Sequence, residues 1–290
     1  MASYKRDLED FENYMILKNF SKSTREAYGC ALKQFFKYHE GKKWEFPYTD
    51  DQAKAYVLYR YKLGRKWQTI NGDYSAMRKF FTKVRKLSWD VYNIPRPRKE
   101  SQLPEIISQE EVKKLIENAS IFKHQAIFTL FYTTGIRLSE LLHLKPEDID
   151  SNRLQIHVHR GKGLKDRYVQ VPEDLIGILR SYYRIYRPKT YLFNGKRRGY
   201  PLSPRAIAWA LIEARKRGNI KKRVSAHTLR HCYATHHLEN GTDLIYLQQQ
   251  LGHKHLKTTA RYIHLCMHHY RKINHPIAKM EIRYLEEINP

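Results

Sequence analysis

Three short segments in the second half of this 290-residue chain hold side chains that could act on a phosphate. In Thr134-Gly-Ile-Arg-Leu-Ser-Glu140 an arginine stands just past a glycine break, and Glu140 follows Arg137 at i+3. On a helix that spacing is first of all an exposed ion pair worth about 0.2–0.5 kcal/mol. In Ser225-Ala-His-Thr-Leu-Arg-His231, a helix beginning near the serine puts His227, Arg230 and His231 at i, i+3 and i+4, on one face. Guanidinium and imidazole donors near a helix start suit an anion such as phosphate. The same spacing also fits a solvated basic face or a two-histidine metal pair, although the glutamate of the zinc-protease pattern is missing. The third segment runs from Leu251-Gly-His253 to Tyr262 in Thr258-Thr-Ala-Arg-Tyr-Ile-His264. One tyrosine among 22 is ordinarily buried with its hydroxyl hydrogen-bonded, so Tyr262 draws attention only in combination with the other segments.

The elements that must position these residues can be read from periodicity and punctuation. Ser108 and Glu111 have capping-box spacing and start a helix, and His124 to Thr134 forms an apolar one stopped at Gly135. Leu154 to His159 alternates, as does Arg167 to Val171. With Arg160-Gly-Lys-Gly-Leu-Lys-Asp166 between them they predict a β-hairpin. Helices resume after Pro172 and after Ser203-Pro204, a cap followed by an N1 proline, and continue to Gly218. The final third is helical from His227, with stops at Gly241 and Gly252. In the first hundred residues, capping signals at Ser23/Glu26 and Thr49/Gln52 precede apolar stripes such as Tyr28, Ala31, Leu32, Phe35 and Phe36. A small four-helix unit is expected there, its last stripe flanked by basic residues including Arg78 and Lys79. Three prolines between Asn93 and Pro104 mark an extended linker. The expected organisation is therefore a helical unit over 1–92, a linker over 93–107 and a second domain over 108–290, mainly α with a small antiparallel β-sheet.

Composition narrows the partners. The 54 Lys and Arg against 29 Asp and Glu leave a charge of +25, which repels itself unless a polyanion balances it, so nucleic acid comes first. No apolar run approaches the ~18 residues of a membrane helix, and the first ten residues lack the apolar stretch of a signal peptide, so a cytoplasmic protein is expected. Three scattered cysteines, Cys30, Cys232 and Cys266, argue against a disulfide framework or a thiolate zinc cluster.

Taken together, the boxes containing Arg137, His227 with Arg230, and His253 with Tyr262 resemble those of the tyrosine recombinases, the phage-integrase and Xer-like family, in order and in spacing. The nine-residue step from His253 to Tyr262 is similar to the family's, and Gly161-Lys-Gly-Leu-Lys-Asp-Arg167 resembles its β-turn lysine segment. The likeness covers about residues 105–270. Over 1–92 it extends only to length, helicity and charge, and the family's additional N-terminal arm-binding domain is expected to be absent. Ala226 stands where relatives often have proline.

The resemblance implies a two-domain clamp around double-stranded DNA, a dimer on each site and a homotetramer on two sites. It implies strand exchange through a 3′-phosphotyrosine and a Holliday junction. Tyr262 would be the nucleophile, Arg137, Arg230 and His253 the donors to the non-bridging oxygens, His227 the base and Lys162 the acid for the departing 5′-oxygen. Glu140 would orient the site, and Lys165 and Arg167 would touch the DNA backbone, with Arg78 and Lys79 as DNA contacts on the first domain. The tail Leu265 to Pro290 would pack on a neighbouring protomer. Since the protein–DNA ester stores the bond energy, no cofactor and no metal are expected in the reaction, in keeping with the lack of a Walker-type loop. Rival readings are a type IB topoisomerase, separated by relaxation without recombination; a silent DNA-binding regulator, separated by failure to trap a covalent complex; and a metal-dependent nuclease, separated by EDTA. The DNA sequence recognised, and the choice among integration, excision, inversion, transposition and dimer resolution, do not follow from the residues.

Overall fold

A computed structural model of the chain describes residues 3–40, 49–90, 93–96, 104–159, 166–195 and 199–266. The chain divides into two compact units, Met1–Gln102 and Leu103–Pro290. The expected linker is anchored at both ends, because Ile94 is buried in the core of the first unit and Ile107 in that of the second.

The first unit has helices α1 (Ser3–Leu17), α2 (Lys22–His39), α3 (Asp50–Lys62) and α4 (Trp67–Lys79), the last continued by a π-helical stretch, Phe80–Val84. The apolar stripes meet in an aromatic core in which Phe36 meets Phe80 edge-on at 5.7 Å and Phe35 meets Tyr56 at 5.5 Å. The Thr49/Gln52 capping box forms as its spacing predicts. Helix α2 differs: its cap is Ser21, whose hydroxyl accepts from the Thr24 amide, two residues before the expected Ser23. Both serines fit a cap, and the one whose backbone stays extended takes the role.

The second unit contains α5 (Gln109–Glu117), α6 (Phe122–Thr134), α7 (Leu138–His143), a 3₁₀ turn (Pro146–Asp148), β1 (Ile149–Asp150), β2 (Gln155–Val158), β3 (Arg167–Gln170), α8 (Glu173–Tyr186), α9 (Pro204–Arg217), α10 (Ala226–Glu239), α11 (Leu244–Leu251), α12 (Leu256–Ala260) and a 3₁₀ turn (Ile263–Leu265). The three strands form one antiparallel sheet in the order β1-β2-β3. Strand β1, which is too short to carry a periodic signal, pairs Ile149 with Ile156. In the hairpin, Ile156 faces Val169 and Val158 faces Arg167 across the ladder. Helices α6 and α10 pack together, and Ala126, Ile127, Leu130 and Phe131 of the one and Leu229 and Cys232 of the other are all buried in the same core. Ala226 occupies the first position of α10, behind the cap Ser225, where either alanine or proline fits. Among the described residues no helix is long and apolar enough to cross a membrane. The tail beyond 266 and the turn 160–165 lie outside the described residues, and with them Lys162 and Lys165.

Candidate active site

Two helices end at glycines in the left-handed region, α6 at Gly135 (φ 58°) and α11 at Gly252 (φ 62°). These ends carry orphan carbonyls at the negative pole of each helix dipole. Both are used to hold an arginine. Arg137 Nη2 donates to the Gly252 carbonyl at 3.1 Å, Arg230 Nη1 donates to the Gly135 carbonyl, and Arg230 Nη2 donates to the Leu251 carbonyl at 2.7 Å. Gly135 also has no room for a side chain, since a Cβ there would lie 2.4 Å from the Tyr233 ring.

Arg137 stands at the start of α7. Its amide donates to Glu140 Oε2 and its Nη1 to Glu140 Oε1, both at 2.8 Å. Glu140 is far more than an exposed partner: it is buried and takes a second, two-pronged contact from Arg167, whose Nη1 and Nη2 donate at 2.9 and 2.8 Å. Burial alone would push the Glu140 carboxyl up, but Arg167 and Arg137 together hold it down at about 2. Arg167, expected as a DNA-backbone contact, is engaged within the protein. Its three guanidinium nitrogens are committed to Glu140 and, through Nε, to the Gln250 carbonyl at 3.0 Å, so it ties β3 to α7 and α11 and positions the site from within.

Arg230 is only 2% exposed. Burial, then the charge of Arg137, push its pKa down to about 10, which leaves it ionised at neutral pH. Its Nη2 also donates to His253 Nε2 at 3.0 Å, while His253 Nδ1 lies 2.9 Å from the hydroxyl of the buried Thr259. Burial, followed by Arg230, Arg137 and the neighbouring arginines, lowers His253 to about 3, so the ring is neutral.

Tyr262 is 4% exposed and sits between α12 and the last 3₁₀ turn, and its hydroxyl is 3.0 Å from His231 Nδ1. His227 was the residue expected as the neighbouring base, and the structure places His231 against the hydroxyl. His227 lies one helical turn away, its ring 4.1 Å from that of His231, and does not hold the tyrosine. The i+4 spacing of the two histidines was the signal, but only the packing of Tyr262 against α10 chooses between them. Burial, then His227 and Arg230, lower His231 to about 4, leaving a neutral ring with an acceptor for the phenol. Burial raises the Tyr262 hydroxyl, opposed by Arg230, Arg261 and Arg137.

Arg137, His227, Arg230 and His253 line one cavity of about 1220 Å³, whose other wall includes Ile207 and Leu211 of α9. The described side chains able to hold a metal ion, Asp148, His157 and His159, are not part of that lining. On the first unit, Arg78 is exposed on α4, whereas Lys79 covers the Phe20 ring at 5.3 Å, so the two expected DNA contacts differ in freedom.

Residues 105–269 match the phage integrase family, and residues 8–86 match the phage integrase N-terminal SAM-like domain. The chain is 33% identical over 269 residues to tyrosine recombinase XerA of Pyrococcus horikoshii, covering 91% of each protein. It is 32% identical over 282 residues to tyrosine recombinase XerC of Staphylococcus epidermidis, covering 90% of this chain and 94% of that one. Its fold is similar to that of a lambda integrase dimer bound to a COC′ core site, with a TM-score of 0.71 at 18% identity over 89% of this chain and 76% of that one.

Proposed function

This chain belongs to the phage integrase family of tyrosine recombinases, and from that premise we propose that Tyr262 is the residue that joins DNA, with Arg137 and Arg230 as the donors that stabilise the reacting phosphate and His253 as a further donor when the phosphate takes the place of its Nε2 contact with Arg230. The protein is a tyrosine-type site-specific recombinase that breaks and rejoins DNA. The observation that carries the assignment of residues is the placement of Arg230: a buried guanidinium held by two carbonyls and an imidazole, beside Arg137 on the wall of one cavity.

A phosphodiester gains charge on its non-bridging oxygens as it becomes five-coordinate, and donors fixed in advance lower that barrier. Arg137 and Arg230 supply guanidinium forks that match phosphate oxygens and stay ionised. The Tyr262 oxygen attacks phosphorus as its proton passes to the neutral His231 ring. The bond from phosphorus to the 5′-oxygen breaks, and Lys162 of the β2–β3 turn gives that oxygen a proton, so a 3′-phosphotyrosine and a free 5′-hydroxyl result. A 5′-hydroxyl from a partner strand reverses the step and returns the proton to Tyr262. Glu140 and Arg167 hold Arg137 in place without reacting. His227, at the cavity wall beside His231, accepts the proton onward or contacts the phosphate. Because the reading includes strand exchange between two sites, it includes a dimer on each double-stranded DNA site and a homotetramer on two, with the two units gripping the duplex. Arg78, Lys79 and Lys165 are proposed backbone contacts.

The test uses DNA from the flanks of the coding region, nicked next to the cleavage position so that the released fragment diffuses away. A protein–DNA adduct stable to denaturation is expected with the parent chain, mapping to Tyr262. Tyr262→Phe removes one oxygen and no charge, so it should bind the same DNA and form no adduct. An adduct with Tyr262→Phe would pass the role to another tyrosine, with Tyr270, outside the described residues, next in sequence.

A further inference from the structure

We propose that the mouth of the β2–β3 hairpin binds one divalent transition-metal ion through Asp148, His157 and His159, with Asp166 supplying a further oxygen. Strand alternation creates the arrangement. Ile156 and Val158 point into the core, so His157 and His159 emerge side by side on the opposite face of β2, their ring centres 3.9 Å apart. Asp166 immediately precedes β3 and approaches both rings, its Oδ2 lying 3.4 Å from His157 Nε2 and 3.6 Å from His159 Nδ1. From below, Asp148 Oδ1 lies 2.7 Å from His159 Nε2. One donor atom each from Asp148, His157 and His159 can be chosen so that all three fall within 4.8 Å of one another.

The chemistry favours an ion of the zinc type. The Asp148 side chain is 3% exposed, with one oxygen used by the Lys145 amide and the other aimed at the histidines. The approaches to Asp166 are too long for good hydrogen bonds, and that from His157 Nε2, 3.4 Å, is close to the ligand-to-ligand edge of about 3.3 Å that a tetrahedron with bonds of about 2.0–2.1 Å requires; His159, which meets Asp148 through Nε2 and Asp166 through Nδ1, turns one of its two nitrogens to the ion. The remaining closure falls on His157 and His159, 28% and 49% exposed and outside the core, with Tyr168 stacked 4.7 Å from the His157 ring to orient it. Carboxylate oxygens and imidazole nitrogens meet here within a chain of charge +25. Imidazole with carboxylate is a donor set for zinc, copper or nickel rather than for magnesium. Such an ion would fasten the 3₁₀ turn to both strands where the chain leaves the sheet for residues 160–165. Its effect on the acid step rests on the Lys162 reading, but the binding does not.

The experiment titrates the full chain, stripped with EDTA and dialysed, first with CoCl₂ followed by visible absorption and then with ZnCl₂ by calorimetry. One equivalent should bind, with an absorption spectrum of tetrahedral cobalt that zinc abolishes. His157→Ala and His159→Ala should each weaken zinc binding at least tenfold, whereas His143→Ala on α7 should leave it unchanged. Circular dichroism shows whether each variant is folded, and His159→Ala alone carries the test if His157→Ala does not fold. Absence of saturable binding to the parent chain, or undiminished binding to folded His159→Ala, would overturn the proposal; the latter would place the ion among other histidines. Neither result bears on Tyr262, whose test is the covalent adduct.

Discussion

Each unit buries an arginine, and the two are treated in opposite ways. In the first unit, Arg60 of α3 meets Asp73 of α4, both buried, at 2.9 Å, and its Nη1 donates to Gln34. Burial raises the Asp73 carboxyl in spite of Arg60, so the pair is held at a desolvation cost. In the second unit, Arg230 is buried more deeply, but the nearby carboxylate, Glu140, accepts its hydrogen bonds from Arg137 and Arg167 instead. Arg230 is held by helix-end carbonyls, which orient it without cancelling its charge. A closed ion pair serves the fold, whereas a cation fixed by dipoles keeps its field for an incoming anion.

The contrast is sharpest in substitutions that separate stability from activity. Arg60→Ala strands the buried Asp73 and should lower unfolding stability by about 3–5 kcal/mol. Urea denaturation measures this, while adduct formation per folded molecule should be unchanged. The joint change Arg60→Met with Asp73→Leu should recover most of the loss, because two buried charges are removed together. Arg230→Ala should do the reverse. Adduct formation should fall about 10²–10³-fold, equivalent to about 2.7–4 kcal/mol of transition-state stabilisation, with a smaller stability loss than in Arg60→Ala. Arg230→Lys should recover little, because an ammonium lacks the fork that spans two carbonyls and a phosphate. Equal losses of adduct formation in folded Arg60→Ala and Arg230→Ala would break the comparison.

How much of this was legible in the sequence follows from the range of the interactions. Caps and stops are local, so Thr49 with Gln52, Ser108 with Glu111, Ser203 before Pro204, and the glycine ends of α6 and α11 were readable from a few residues. The hairpin was readable because its alternation reports one buried face. The residues around the cavity were readable as a set only through the resemblance of widely separated boxes. Their wiring was not: Arg137 reaches Gly252 across 115 residues and Arg230 reaches Gly135 across 95, and no local pattern encodes which carbonyl an arginine meets. For the same reason Arg167 looked like one more basic residue on a turn, and the contact of Tyr262 with His231 was not readable. The two-residue β1 and the π-helical end of α4 have too few residues to show a period.

Glycines at one backbone conformation in both units give a finer comparison. Gly64 (φ 64°) has open space where a Cβ would go, whereas a Cβ on Gly252 (φ 62°) would stand 3.0 Å from Arg167 Nε. Either change to alanine forces a side chain into the left-handed region, at about 1–2 kcal/mol. Gly64→Ala should show that cost alone in thermal unfolding. Gly252→Ala should also displace Arg167 from Glu140 and disturb the carbonyl that holds Arg137, so adduct formation should fall about tenfold further, the effect expected of a small misplacement of positioned groups. If Gly252→Ala were as active as Gly64→Ala, Arg167 would not be a positioning residue.

The two units should also differ in how their stability depends on pH, with the dependence concentrated in the second. His231 and His253 are held at about 4 and about 3, below the 6.5 of an unperturbed histidine, chiefly by burial. As pH falls below about 6.5, the unfolded chain takes up these protons before the folded one does, which favours unfolding. The contribution is therefore fully present above that pH and is lost progressively as pH falls toward the folded values. Thermal unfolding of the second unit should shift to lower temperature between about pH 7.5 and about pH 5, and the shift should be smaller in His231→Gln with His253→Gln. A bound anion opposes the loss, because negative charge beside Arg230 and Arg137 favours the protonated rings and raises their pKa in the folded state. Adding duplex DNA should thus flatten the pH profile of the parent chain more than that of Arg230→Ala. A profile equally flattened in both would mean that the anion sits elsewhere, away from Arg230.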